Sequence, residues 1–230
     1  MIEFRSVDYV YRNGVRALSS FNALIPDHEF VLLAGPTGSG KSTALKMIYR
    51  ELQPTRGEVW VNGLNVGKLR QGKIPDLRRT LGVVFEDFKL LNGRTVFDNV
   101  AYALVVIGAG EREIKRRVSK VLELVNLSHK TDQNVEHLSR GEQQRTAIAR
   151  AIVNGSGLLI ADEPTGHLDS EASVEIMQIF DRINKEGATV LVATHDLAWV
   201  EHLNKRVMFM YEGATIEKLV SKGTHSANAF

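Results

Sequence analysis

The sequence contains no cysteine. That absence excludes disulfide bonds, thiolate metal sites and cysteine nucleophiles, and it suits a reducing compartment. Long apolar runs are missing as well. The longest are short stretches such as Leu158–Ala161 and Val190–Ala193, against the roughly 20 residues a helix needs to span a bilayer. The N-terminal Met1-Ile2-Glu3-Phe4-Arg5 carries an acid and leads into no apolar core, so it does not read as a secretory signal. Any tie to a membrane must then run through a partner or a surface patch. Strong charge is absent too. A formal net charge of +2 is too small to argue for a nucleic-acid partner. What remains is an ordinary globular balance, 43% hydrophobic and 24% charged over 230 residues, enough for one sizeable core.

Short apolar runs alternate with helical patterns, which argues for an α/β fold with a largely parallel sheet. Phe30–Ala34 reads as a buried strand ending in a glycine-rich segment, and Ser42–Glu51 then carries Ala44, Leu45, Met47, Ile48 and Leu52 at helical spacing. Glu58–Val61 and Leu81–Phe85 read as strands. In the middle of the chain, Ile114, Val118, Val121, Leu122 and Val125 share one face of an amphipathic helix, and a second helix is expected over Glu142–Val153. Strands resume at Leu158–Ala161 and Thr189–Ala193. The helix between them, about 171–186, is expected to bury Val174, Met177, Ile179 and Ile183 and to stop at Gly187. Val207–Tyr211 and Ala214–Leu219 suggest a closing hairpin, followed by a frayed tail. The expected organisation is a core of residues 1–86 and 158–220 with an antiparallel part, a helical insert over 87–157, and a tail over 221–230.

Chemistry concentrates first at Gly35-Pro36-Thr37-Gly38-Ser39-Gly40-Lys41-Ser42-Thr43, which fits G-x-x-x-x-G-K-[ST]. Glycines let the backbone curl so that successive N–H groups cradle phosphate oxygens. The helix that follows turns its positive end to the same anion. Lys41 is placed to reach the β- and γ-phosphates of a nucleotide, and the Ser42 hydroxyl to ligate Mg²⁺. The pattern sits between an expected strand and an expected helix, as this chemistry requires. A second concentration is Asp162-Glu163, at the end of the apolar strand that begins at Leu158. If the chain turns both carboxylates to one side, Asp162 can hold Mg²⁺ largely through water while Glu163 polarises an attacking water as general base.

Leu138-Ser139-Arg140-Gly141-Glu142-Gln143-Gln144-Arg145 closely resembles the signature of ABC ATPases. The phosphate loop, the acidic strand end, Asp169 in Gly166-His167-Leu168-Asp169 and His195 follow the order and spacing of that family over essentially residues 1–218. The resemblance implies a P-loop NTPase, RecA-like core and Mg²⁺-dependent hydrolysis of ATP. It implies a homodimer formed on ATP binding, each ATP lying between the phosphate loop of one subunit and Ser139–Gly141 of the other. It further implies that His195 contacts the γ-phosphate, that Asp169 links the two sites, and that Tyr11 is the aromatic stacking on adenine. The remaining histidines show no metal-ligand spacing and are expected to be surface or packing residues.

Three positions depart from the family pattern. Glu86 stands where a glutamine normally ligates Mg²⁺ at the hinge to the insert. A carboxylate there can still ligate, adds negative charge near the phosphates, and is expected to alter turnover or its coupling to the insert. Arg140 replaces the first signature glycine, and His167 replaces an asparagine. Ala161–Gly166 resembles the subgroup of lipoprotein-release, macrolide-efflux and cell-division ATPases (LolD, MacB and FtsE types). Phe85–Leu91 and Arg94–Ala101 look most like the cell-division type. That resemblance implies an FtsX-like polytopic membrane partner, other division proteins nearby, a peripheral place on the cytoplasmic face of the plasma membrane, and control of cell-wall hydrolases. The alternatives are a lipoprotein-release or efflux ATPase and an ATP-gated scaffold with little hydrolysis. The interval from Lys41 to Ser139 is too short for the long coiled coil of DNA-repair relatives.

Overall fold

A computed structural model describes residues 1–216. Among the described residues ten strands form two sheets. β1 (Ile2–Val10), β2 (Arg16–Ile25), β4 (Arg56–Val61) and β5 (Leu64–Asn65) make an antiparallel sheet in the order β2-β1-β4-β5. β3 (Phe30–Ala34), β6 (Leu81–Val84), β7 (Leu158–Asp162), β8 (Thr189–Thr194), β9 (Arg206–Tyr211) and β10 (Ala214–Ile216) make the second, in the order β10-β9-β3-β8-β7-β6. Every pairing in it is parallel except the closing β9–β10 hairpin.

The central strands of the second sheet are covered on both faces, and side-chain alternation divides the core in two. Val31, Leu33, Leu158, Ile160, Leu191 and Ala193 face α1 (Lys41–Ile48) and the antiparallel sheet. Leu32, Ala34, Leu159, Ala161, Val190 and Val192 face the opposite core. There they meet helices that stand between β6 and β7, namely α3 (Val96–Val106), α4 (Glu111–Leu124) and α5 (Arg140–Ile152), and also α6 (Ser170–Lys185). Each fully buried Leu or Ile contributes roughly 1.5–3 kcal/mol from leaving water. Two further α-helices among the described residues are short, α2 (Ile74–Arg79) and α7 (Ala198–His202).

Several expectations shift at their edges. The helix after the phosphate loop ends at Ile48, two residues before Arg50 takes a left-handed backbone (φ 58°), so Leu52 packs from the following loop. Val174 is 44% exposed and is not part of the buried face of α6. Ile176, Phe180 and Ile183 define that face, and at 100° per residue Val174 lies nearly opposite their centre. The expected stop is present: Gly187 (φ 101°) donates its N–H to Asn184 O while Ala188 N–H reaches Ile183 O, a Schellman ending. The closing hairpin pairs Ala214–Ile216 with Phe209–Tyr211. The expected tail, 221–230, and the last residues of the expected hairpin, 217–219, lie outside the described residues.

Candidate active site

The phosphate loop joins β3 to α1. A Cβ on Gly40 would lie 2.3 Å from Ala17 O, and its φ of 105° is one that other residues rarely adopt. A Cβ on Gly35 would lie 2.2 Å from Met210 O. No side chain caps α1. The first N–H groups of a helix have no intrahelical partner, so here they are free for an anion. The Ser39 hydroxyl is buried with no hydrogen-bond partner inside the protein, an orphaned polar atom within the loop. The Lys41 ammonium, only 5% exposed, folds back on the loop, donating to Gly35 O at 2.8 Å and Pro36 O at 3.1 Å. Thr37 and Gly38 form the exposed tip. Thr43, buried in the first turn, is hydrogen-bonded to the Tyr11 hydroxyl at 2.9 Å, and Tyr11 packs edge-on against Tyr9. The aromatic expected at adenine is thereby tied to the loop expected at the phosphates.

Both carboxylates at the end of β7 reach this loop, and the backbone shows how. Glu163 takes a left-handed conformation (φ 43°), rare for a side chain branched at Cβ or longer and a strained state that recurs at functional sites. Its N–H is held by Ala193 O on the neighbouring strand at 2.9 Å. The turn replaces the strand's alternation and brings Asp162 and Glu163 to one side. Asp162 Oδ1 accepts from the Ser42 hydroxyl at 3.0 Å. Glu163 Oε1 lies 3.5 Å from Lys41 Nζ. Its Oε2 accepts from the His195 backbone N–H at 3.2 Å and lies 2.9 Å from His195 Nδ1. A carboxylate only accepts, so this pairing puts a ring proton on Nδ1. Burial pushes the Asp162 carboxyl above the usual range. Neighbouring Glu163 and Glu86 charges add to that, while the Ser42 hydrogen bond and Lys41 oppose it.

The donors gathered here are oxygens, which suits Mg²⁺ rather than a softer metal. Among the described residues no cluster of three or more His, Asp or Glu could cage a metal alone.

One family model, described as ABC transporter, matches the chain over residues 18–166. The chain belongs to the ABC transporter family. It is 49% identical over 216 residues to the cell division ATP-binding protein FtsE of Bacillus subtilis strain 168, covering 94% of this chain and 95% of that one. The protein of the same name from Escherichia coli K12 is 41% identical over 213 residues, 93% and 96% of the two chains. Among solved structures, a dimeric bacterial ABC transporter cassette superposes with a TM-score of 0.86 at 34% identity, covering 94% of this chain and 97% of that one. The same cassette in a post-hydrolysis state with ADP and Pi gives 0.86 at 33%.

Other cassette residues expected at the nucleotide lie elsewhere. Ser139 is the N-cap of α5 in a capping box: its hydroxyl accepts from Glu142 N–H at 3.3 Å, and Glu142 accepts from Ser139 N–H at 2.8 Å. Burial alone would raise the Glu142 carboxyl, but the Ser139 hydrogen bonds and Lys130 hold it below the usual range. Gly141 lies under α6, where a Cβ would sit 3.2 Å from Ala172 Cβ. Asp169 caps α6 through Ala172 N–H at 2.8 Å. Among the described residues no hydrogen bond or ion pair joins Ser139, Gly141 or Asp169 to the phosphate loop of the same chain. Glu86 follows β6 and sits near enough to raise Asp162.

Two residues that the sequence reading did not single out hold the loop after Glu86. Arg150 of α5 donates to Phe88 O and Lys89 O, both at 2.6 Å, across two consecutive left-handed residues, φ 60° and 49°. Buried Asn99 of α3 accepts Leu91 N–H at 2.7 Å and donates to Leu91 O and Thr95 O. A half-buried arginine and a buried asparagine each call for a backbone partner, but their targets are set by tertiary contact.

Proposed function

We propose that this chain is the ATP-hydrolysing subunit of an FtsE-type membrane complex acting in bacterial cell division. The observation that carries the catalytic reading is Glu163, held on a strained backbone between Lys41 and His195. In this reading Gly35–Thr43 bind the triphosphate, with Lys41 swinging from the loop carbonyls to the β- and γ-phosphates. Tyr11 packs on adenine. Ser42, Asp162 and Glu86 would hold Mg²⁺, which supplies charge neutralisation on the phosphates. Glu163 accepts the proton of the attacking water, and His195 orients it and the γ-phosphate. General-base help of this kind is worth about 10²- to 10⁴-fold. Ser139 and Gly141 act on the nucleotide of a second copy, and Asp169 faces that copy. The α5 N-terminus lies apart from its own phosphate loop, which supports a head-to-tail dimer as the working unit. Residues 87–157 serve as a helical subdomain between this site and the partner.

No helix among the described residues is long and apolar enough to cross a membrane. The FtsE names of the relatives support an FtsX-like polytopic partner, and so a peripheral place on the cytoplasmic face of the plasma membrane, and a groove of about 630 Å³ between the loop after β6 and α3 offers such a partner a seat. It is lined by Leu90, Leu91, Arg94, Asp98, Tyr102 and Val105. Leu91, Tyr102 and Val105 are exposed apolar side chains, and a membrane protein's intracellular segment would cover them. The test is Glu163→Gln. Phosphate release should fall at least 100-fold while ATP binding persists and a stable dimer forms with Mg·ATP. Capture from native membranes on that trapped dimer should return an FtsX-like protein with cell-wall enzymes. A lipoprotein-release permease or efflux pump would keep the chemistry and replace the biology. A chain that stays monomeric under saturating Mg·ATP would overturn the sandwich.

A further inference from the structure

Two of the three sequence departures meet in space. His167 Nε2 lies 3.5 Å from Glu86 Oε1, with the two side chains 50% and 55% exposed. They come from separate parts of the chain. Glu86 opens the loop that Arg150 ties to α5. His167 sits in the turn between Glu163 and Asp169, closed by Gly166 N–H to Glu163 O at 3.1 Å and Leu168 N–H to Thr165 O at 3.2 Å. The neighbouring acids already have companions. Asp162 has the Ser42 hydroxyl, Glu163 has Lys41 and His195, and Asp87 has Lys89 at 2.5 Å. Glu86 is the added negative charge felt at Asp162, and His167 is the group that faces it.

We propose that His167 is a positioning residue for Glu86. It holds the Glu86 carboxylate toward the 164–168 turn, in competition with a cation at Ser42 and Asp162, and it releases that carboxylate when a nucleotide-bound cation competes for it. The geometry has two consequences. The third carboxylate of the site has a partner other than the cation before nucleotide arrives. The turn carrying Glu163 and Asp169 also becomes linked, through one side-chain contact, to the loop that leads into α3. The inference rests on the proposed Mg²⁺·ATP reading of the site.

The test is a double-mutant cycle on the full chain in the Glu163→Gln background, measuring how ATP binding depends on Mg²⁺ concentration by calorimetry. His167→Ala should lower the Mg²⁺ needed for half-maximal ATP binding about two- to fivefold, the range a half-exposed pair supplies. In Glu86→Gln the same substitution should change nothing. His167→Gln, which restores an N–H donor, should recover part of the original Mg²⁺ requirement. Urea midpoints should be unchanged across the set, which separates positioning from a general structural role. An equal shift in both backgrounds, no shift, or a weakening with Glu86 present overturns the proposal. ATP binding indifferent to Mg²⁺ in every variant would instead overturn the Mg²⁺ reading beneath it, and the positioning role with it.

Discussion

The first turns of α1 and α5 are both helix N-termini proposed to meet a phosphate, and the chain finishes them in opposite ways. α1 begins at Gly40, with no side-chain cap. The buried Ser39 hydroxyl beside it has no partner, and Lys41 is parked on loop carbonyls. α5 begins at Ser139 with a closed capping box and Lys130 3.5 Å from Glu142. The first end is incomplete until something anionic arrives. The second is satisfied within the chain and presents a preformed positive end. On the proposed reading the difference separates two tasks: one helix waits for its own nucleotide, and the other is ready-made for a nucleotide held by another molecule. A binding site of the first kind gives up local stability for ligand. A site of the second kind does not need to.

Breaking α1's end should have the largest effect. Gly40→Ala places a Cβ against Ala17 O at 2.3 Å and forces an unfavourable φ. We expect a loss of about 3 kcal/mol or more of stability together with loss of nucleotide binding. Urea unfolding with and without Mg·ATP checks this. A midpoint within error of the parent's would show that the close approach is not needed. The same position of α5 responds differently. Ser139→Ala removes one half of a local cap and should cost about 1 kcal/mol, with the affinity of the isolated chain for Mg·ATP unchanged. Nucleotide-driven dimerisation in the Glu163→Gln background should weaken. If Ser139→Ala instead lowers ATP affinity in the monomer, α5's end serves its own nucleotide and the comparison collapses. Hydrogen exchange would sharpen it further: Mg·ATP should protect the first amides of α1 in monomer, and those of α5 only on dimerisation.

The same contrast governs how much of the site was legible in the sequence. The phosphate loop, Asp162 and Glu163 were readable because strand, glycines and helix are contiguous there, so local pattern dictates geometry. The signature was readable as a motif, but Ser139's capping box and Gly141's contact with Ala172 locate it away from its own loop, which only tertiary packing reveals. Sheet strands 30–34, 158–162 and 189–194 were plain because both faces are buried and the runs are continuously apolar. α3 was not singled out as a helix within the insert. Its exposed side carries Tyr102, Val105 and Val106, so apolar residues surround the helix and the one-sided pattern is lost, although Thr95 and Asp98 form a capping box at its start. Val174 fails for the complementary reason: an apolar residue on the outer side of an otherwise clean α6. Glu86 and His167 were each visible as departures, but their contact spans 81 positions of sequence and no periodicity connects them.

The smallest expected effect concerns the acid between the two kinds of order. Asp162 belongs to the waiting end, and its carboxyl is raised by burial and by the charges of Glu163 and Glu86. In the nucleotide-free protein the folded state therefore holds a proton on Asp162 at pH values where the unfolded chain has already released it. By linkage, this group's contribution becomes more favourable as pH falls from its raised pKa toward the ordinary aspartate value near 3.9, and is a net cost above that window. Asp162→Asn removes the cost while keeping a polar group for Ser42. At neutral pH the nucleotide-free Asn variant should thus be more stable than the parent, and the gap should narrow as the medium is acidified. Urea midpoints at a series of pH values read this directly. Mg·ATP should reverse the order at neutral pH by stabilising the parent more than the variant, because only the parent presents the carboxylate that the cation requires. A variant less stable than the parent without nucleotide would mean that the Ser42–Asp162 hydrogen bond outweighs the buried charge, and that α1's end is more complete on its own than its missing cap implies.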